Sequence, residues 1–192
     1  MRITKDLRLA FPLESEKNGT IHVYTQPIKR DTFELYFAEL GAAFNACFRD
    51  GDPQHLALAG PRTAYAALKK AARADGTWDT PDGVENGLIN EMKRLTTIAY
   101  ATPEGWKQVP MATAQAHDIL TEEDVFDILN PLVFFTAACK VGPPKLMGEL
   151  LDVVAKSRGW ETGFSTCTAY VDSLKPLKPD ESSMPKGQLV TV

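Results

Sequence analysis

The residues best placed to do chemistry are His117 and the acids that follow it, Glu122, Glu123 and Asp124. A small hydrolase would need this histidine and these carboxylates converging on one desolvated pocket. Neighbouring residues on a helix point in different directions, each turned by about 100° from the last, so adjacent acids do not converge. The same residues have a simpler use. Thr121 followed three positions later by Asp124 reads as a T-x-x-D capping box, and carboxylates in a first turn face the positive end of the helix. Capping is therefore the preferred reading. His22 falls in an alternating segment and His55 in a loop, and neither belongs to an H-E-x-x-H pattern. Cys47, Cys139 and Cys167 are widely spaced and form no CxxC pair, which suits reduced core thiols better than a disulfide or zinc framework. The sequence contains no G-x-S-x-G elbow, no GxxxxGK[ST] loop and no GxGxxG turn. The expectation is a non-enzymatic protein with no catalytic residue, cofactor or metal to assign.

The elements that would position these residues follow from periodicity. Leu7, Leu9, Phe11 and Leu13 share one parity, and Ile21 and Val23 resume it after Asn18-Gly19. This predicts an antiparallel hairpin, Leu7 to Leu13 with Thr20 to Gln26, joined by a two-residue type I′ turn. Two strands alone are marginal in water, so the hairpin must pack on helices. After Pro27 the period becomes helical. Asp31 with Glu34 makes a D-x-x-E start, and Phe33, Phe37, Leu40, Phe44 and Phe48 continue one stripe. Further helices are expected from Gly60-Pro61 to Gly76, and from Thr80-Pro81 onward with Val84, Leu88, Met92 and Leu95 on one face. Trp106 to Val109 reads as a short extended segment. Beyond it lie the Thr121 helix, a Gly142 to Pro144 break, a helix from about Lys145 to Lys156 and a short helix near Ser165 to Leu174.

The Thr121 helix, "TEEDVFDILNPLVFFTAAC", is apolar on nearly every side after its acids. Such a helix is either buried on several faces or keeps a face for a partner. Pro131 should bend or break it. The candidate partner-binding residues are Phe126, Leu129, Phe134 and Phe135, with Phe37 and Phe44 from the earlier stripe. The fold expected is α+β and mainly helical, an N-terminal β-hairpin on a bundle of about five helices. Residues 1–174 would form one domain (hairpin 1–28, helical part 29–174), with 175–192 as a flexible tail rich in Pro, Lys and Ser.

A length of 192 residues, 44% hydrophobic and 24% charged, suits one globular domain with its own core. The formal charge of -4 gives no basic footprint for nucleic acid. Lys5, Asp6 and Arg8 interrupt the first residues, so no secretory leader is expected there. The apolar run from Leu132 to Cys139 is far too short to cross a bilayer.

The start "RITKDLRLAFPLE…NGTIHVYTQPI", then "GVENGLINEMKRLT", the "GW…VP" connection and "ILTEEDVFDILNPLVFFTAA", in that order, resemble a tail assembly chaperone of long-tailed bacteriophages. The similarity runs over roughly residues 2–140 and weakens beyond. It implies a factor in the host cytoplasm that binds the tape-measure protein, keeps it soluble, helps recruit tail-tube subunits and leaves before the tail is complete. Self-association would be compatible with that role. Many such proteins exist in a short form and a frameshift-extended form, and the segment from Lys175 to Val192 stands where an extension would attach. The family supplies no catalytic residues. The alternative is a virion structural protein of the tail or head-tail connector, using the same apolar helices as permanent interfaces.

Overall fold

The computed structural model describes residues 8–47, 53–142 and 144–174. The expectations for the tail 175–192, for the leader and for Phe48 fall outside the described residues, as does the side chain of His55. The fold is α+β and mainly helical, with the N-terminal hairpin packed against helices.

The hairpin consists of β1 (Leu9–Ser15) and β2 (Gly19–Thr25), with Phe11 opposite Val23 and Leu13 opposite Ile21. Its turn differs from the expected two-residue form. Ser15 pairs with Gly19, so three residues close the loop. Only Gly19, at φ +65°, takes the left-handed conformation. That is the geometry of a type I turn closed by a left-handed glycine. Three further strands join the hairpin: β3 (Thr96–Thr102), β4 (Gly105–Pro110) and the two-residue β5 (Glu161–Thr162). The sheet is antiparallel throughout, in the order β4-β3-β2-β1-β5.

Strand alternation gives the sheet two faces. Leu9, Phe11, Ile21, Val23 and Ile98 enter the main core with the helices. Ala10, Tyr24 and Ala99 point the other way, into a smaller cluster closed by Cys167, Tyr170 and Val171 of α8 (Cys167–Ser173), with Trp106 and Phe164 packed beside it. Thr166 caps α8 by accepting from Ala169 N at 3.0 Å.

The single helix expected after Pro27 is two, α1 (Arg30–Leu35) and α2 (Phe37–Cys47), separated at Tyr36. Lys29 rather than Asp31 precedes the first helical residue, and Glu34 binds Arg30 at 2.6 Å instead of closing a capping box. Tyr36 is fixed by a bond from its hydroxyl to Asp82 O at 3.1 Å. Gly87 lies under that hydroxyl, so close that a Cβ there would overlap it.

Helix α3 (Pro53–Ala74) begins before Gly60 and runs through Pro61. The segment after Thr80 starts as turns, passes through a π-helix (Glu85–Ile89) and the short α4 (Asn90–Arg94), then leaves as β3. Val84, Leu88 and Met92 are buried as one face, as expected. Thr96 to Tyr100, expected in that helix, are strand. Threonine, isoleucine and tyrosine fit a pleated surface beside β2 better than a helix. The connection after β4 carries the short α5 (Met111–Ala116).

The acid-led helix, α6 (Glu122–Val141), is continuous through Pro131. It packs antiparallel to α3: Gly60 meets Phe134, and farther along α3 Tyr65 meets Asn130. Asn130 is buried, accepts Tyr65 N–H at 3.0 Å and donates to Phe126 O at 3.1 Å. Its amide supplies a donor beside the site where Pro131 has none. Helix α7 (Pro144–Ser157) follows the Gly142 break and buries Met147, Leu151 and Val154 against the same core.

Candidate functional site

The histidine-acid grouping does not assemble into a pocket. Thr121 caps α6 with a complete capping box: Asp124 N donates to Thr121 Oγ1 at 3.1 Å, and Thr121 N donates to Asp124 Oδ2 at 2.8 Å. The same Oδ2 accepts Ser15 Oγ at 2.9 Å. Asp124 is thus buried, and its Oδ2 joins the end of β1 to the start of α6. Two more bonds make the same connection, since Lys17 Nζ donates to Asp118 O and Asn18 Nδ2 donates to Ile119 O. His117, Glu122 and Glu123 remain exposed. Asp124 alone of the three acids therefore fastens the hairpin to the central helix, a tertiary role that the sequence pattern did not suggest.

The thiols are unpaired with one another. Burial pushes Cys139 up to about 12, with Lys140 opposing, and Cys167 up to about 11. Both are protonated near neutral pH and act as small apolar groups. Among the described residues no group of three or more His, Cys, Asp or Glu could hold a metal ion. Among them, no helix is long and apolar enough to cross a membrane. A cavity lined by Leu9, Ile28, Met92, Leu132, Phe135 and Cys139 encloses about 30 Å³, the room of roughly one or two waters. It includes none of the acids above.

One polar cluster was not anticipated. On the outer sheet face His22 Nδ1 lies 2.9 Å from Tyr170 Oη, and the His22 ring meets Trp106 edge-on at 4.9 Å. Burial lowers the imidazole's pKa, with Glu14 partly opposing, and raises that of the Tyr170 hydroxyl. The signal for this cluster was the parity of His22 with Tyr24, which places both opposite the apolar Ile21 and Val23.

The candidate partner residues separate into core and surface. Leu129 is buried, and Phe134 and Phe135 are each only 2% exposed, edge-to-face with each other at 5.6 Å. They belong to the protein's own core, so the folded chain does not present them to a partner. Phe44 is half-buried and packs against the core. Phe126 is 39% exposed and leans on Tyr65 at 5.6 Å. Phe37 is 53% exposed and contacts Phe33 edge-to-face at 5.7 Å.

Sequence reading missed Leu35, which at 68% is more exposed than Phe37. Two residues beyond Phe33, it sits about 200° around a helix from the apolar stripe, and that displacement was the available signal. The Tyr36 break then brings Phe33, Leu35 and Phe37 onto the α1–α2 corner, beside Ala38, which is also exposed. Asp31, Glu34, Glu39 and Asp82 neighbour this corner in sequence or through Tyr36. It is the most apolar exposed feature among the described residues.

No protein-family model matches this chain, and neither does any curated protein or any solved structure.

Proposed function

We propose that this protein is a tail assembly chaperone of a long-tailed bacteriophage. It binds the tape-measure protein in the host cytoplasm, holds it in solution, assists recruitment of tail-tube subunits and departs before the tail is finished. Two independent lines support this reading. The ordered sequence patterns over roughly residues 2–140 resemble that family. The observation that carries it structurally is the α1–α2 corner, where Leu35 and Phe37 stand more than half exposed beside carboxylates.

The mechanism is reversible shielding. An elongated helical client exposes an apolar stripe that would otherwise drive self-association, and a partner with its own apolar surface covers that stripe. Carboxylates around the contact keep the complex hydrated and repel further copies. Release needs only that tube subunits compete for the same stripe, because a small apolar contact dissociates readily.

The test is co-expression with the longest coiled-coil-like product of the same genome, followed by pull-down and by mass spectrometry of purified particles. Recovery of a client complex, with this chain absent from particles, is the expected result. Many copies per particle would instead make it a structural component of the tail or head-tail connector.

A further inference from the structure

The α1–α2 corner combines exposed apolar groups with an excess of negative charge, and the two together specify a kind of partner. Phe33, Leu35, Phe37 and Ala38 supply the apolar part, with the Phe33 and Phe37 rings already in contact. Leu35 and Phe37 do not shelter against the rest of the fold.

The charges around them do not balance. Arg30 is held by Glu34 at 2.6 Å. Lys29 acts on Glu91, lowering its pKa after the larger effect of Arg94, and so lies toward α4. Arg30 also acts on Asp31, which leaves Glu39 and Asp82 in excess. Asp82 receives the Tyr36 hydroxyl through its carbonyl, and both Asp82 and Glu39 add to the effect of burial in raising the Tyr36 hydroxyl pKa. Both carboxylates are therefore tied to the residue that separates Leu35 from Phe37. A rigid setting holds them there: Tyr36 is buried, and its ring closes over Gly87.

We infer that the α1–α2 corner is a docking face for a cationic amphipathic helix, one that presents large apolar side chains at helical spacing with Lys or Arg on their flanks. The apolar anchors cover Leu35 and Phe37, and the flanking cations meet Glu39 and Asp82. A polyanion such as nucleic acid is repelled by the same carboxylates. This deepens the proposed function and rests on it in one respect only, that the helix belongs to the chaperone's client.

The test uses the full chain and two synthetic helical peptides with the same leucine stripe, one with lysine flanks and one with glutamate flanks. Binding is read by fluorescence anisotropy at low and high salt. The lysine peptide is expected to bind at least ten times more tightly than the glutamate peptide and to weaken several-fold as salt screens the carboxylates. The double variant Leu35→Ser/Phe37→Ser keeps every charge and should lose most of that binding. Glu39→Gln/Asp82→Asn keeps every apolar group and should lose the salt dependence. Circular dichroism checks that both variants remain folded. Equal binding of the two peptides overturns the inference, as does unchanged binding by the serine variant. Sedimentation showing that the wild type, but not the serine variant, is dimeric also overturns it, because the face would then be occupied by a second copy. If the client is solubilised equally by wild type and serine variant, this face is wrong while the chaperone reading stands. If the lysine peptide binds as expected but no client is ever solubilised, the face stands and the chaperone reading falls.

Discussion

Asp124 shows how one carboxylate can be misread as chemistry when its work is structural. Its Oδ2 holds both Thr121 N and Ser15 Oγ, and its own N–H is met by Thr121. Asp124→Ala keeps the backbone N–H that Thr121 caps, but removes the returning half of the capping box and leaves the buried Ser15 hydroxyl without its acceptor. A loss of about 1–3 kcal/mol is expected in urea unfolding, whereas Glu122→Gln or Glu123→Gln, both exposed, should stay within about 0.5 kcal/mol. His22 makes a second residue-scale prediction. Burial holds its folded pKa below the ordinary 6.5, so the unfolded chain takes up the proton more readily than the folded one. The stability tied to neutral His22 is therefore complete above the unfolded value and is lost as pH falls through the lower folded value. The melting temperature should drop between about pH 7 and 5 by more in the wild type than in His22→Phe, which cannot titrate.

The elements legible in the sequence were those whose pattern and burial agree. The hairpin, the Val84–Leu88–Met92 face, the Trp106 segment, the Thr121 cap and the last two helices all have apolar spacing that matches their environment. Misread elements are those where tertiary contacts override local pattern. No Gly or Pro ends the helix at Arg94, and β3 forms because its Thr- and Ile-bearing run meets the edge that β2 offers, with Val23 opposite Ile98. Pro61 read as a helix start and Pro131 as a bend or break, and each lies inside a continuous helix, which excludes the start and the break. The antiparallel α3–α6 contact explains part of this, because Asn130 supplies bonds to both helices and Gly60 lets Phe134 approach. A Cβ at residue 60 would stand 2.5 Å from Phe134 Cε2. Gly60→Ala should therefore cost about 1–3 kcal/mol through overpacking. Phe134→Leu in the same chain should recover part of that loss, which a double-mutant cycle in urea measures. The apolar spacing of α6 announced burial without saying on which side, and only the placement of α3, α7 and the sheet around it decides that Phe134 and Phe135 point inward.

At the scale of the whole molecule, a sheet filled on both faces and a central helix enclosed by its neighbours leave little apolar surface for association among the described residues. What remains is concentrated at α1–α2, at Phe126 and at Val153 of α7. The candidate site was thus half legible: Phe37 and Phe126 were named from spacing, while Leu35 emerged only because the chain breaks at Tyr36. On the proposed reading the protein works through a small face rather than a deep groove, and its effect should be stoichiometric with the client. The most direct measurement is the soluble fraction of the tape-measure client, expressed alone and with increasing amounts of this chain. The account predicts that the soluble fraction rises with dose and that both proteins co-sediment as one complex. An unchanged soluble fraction at every dose would contradict it.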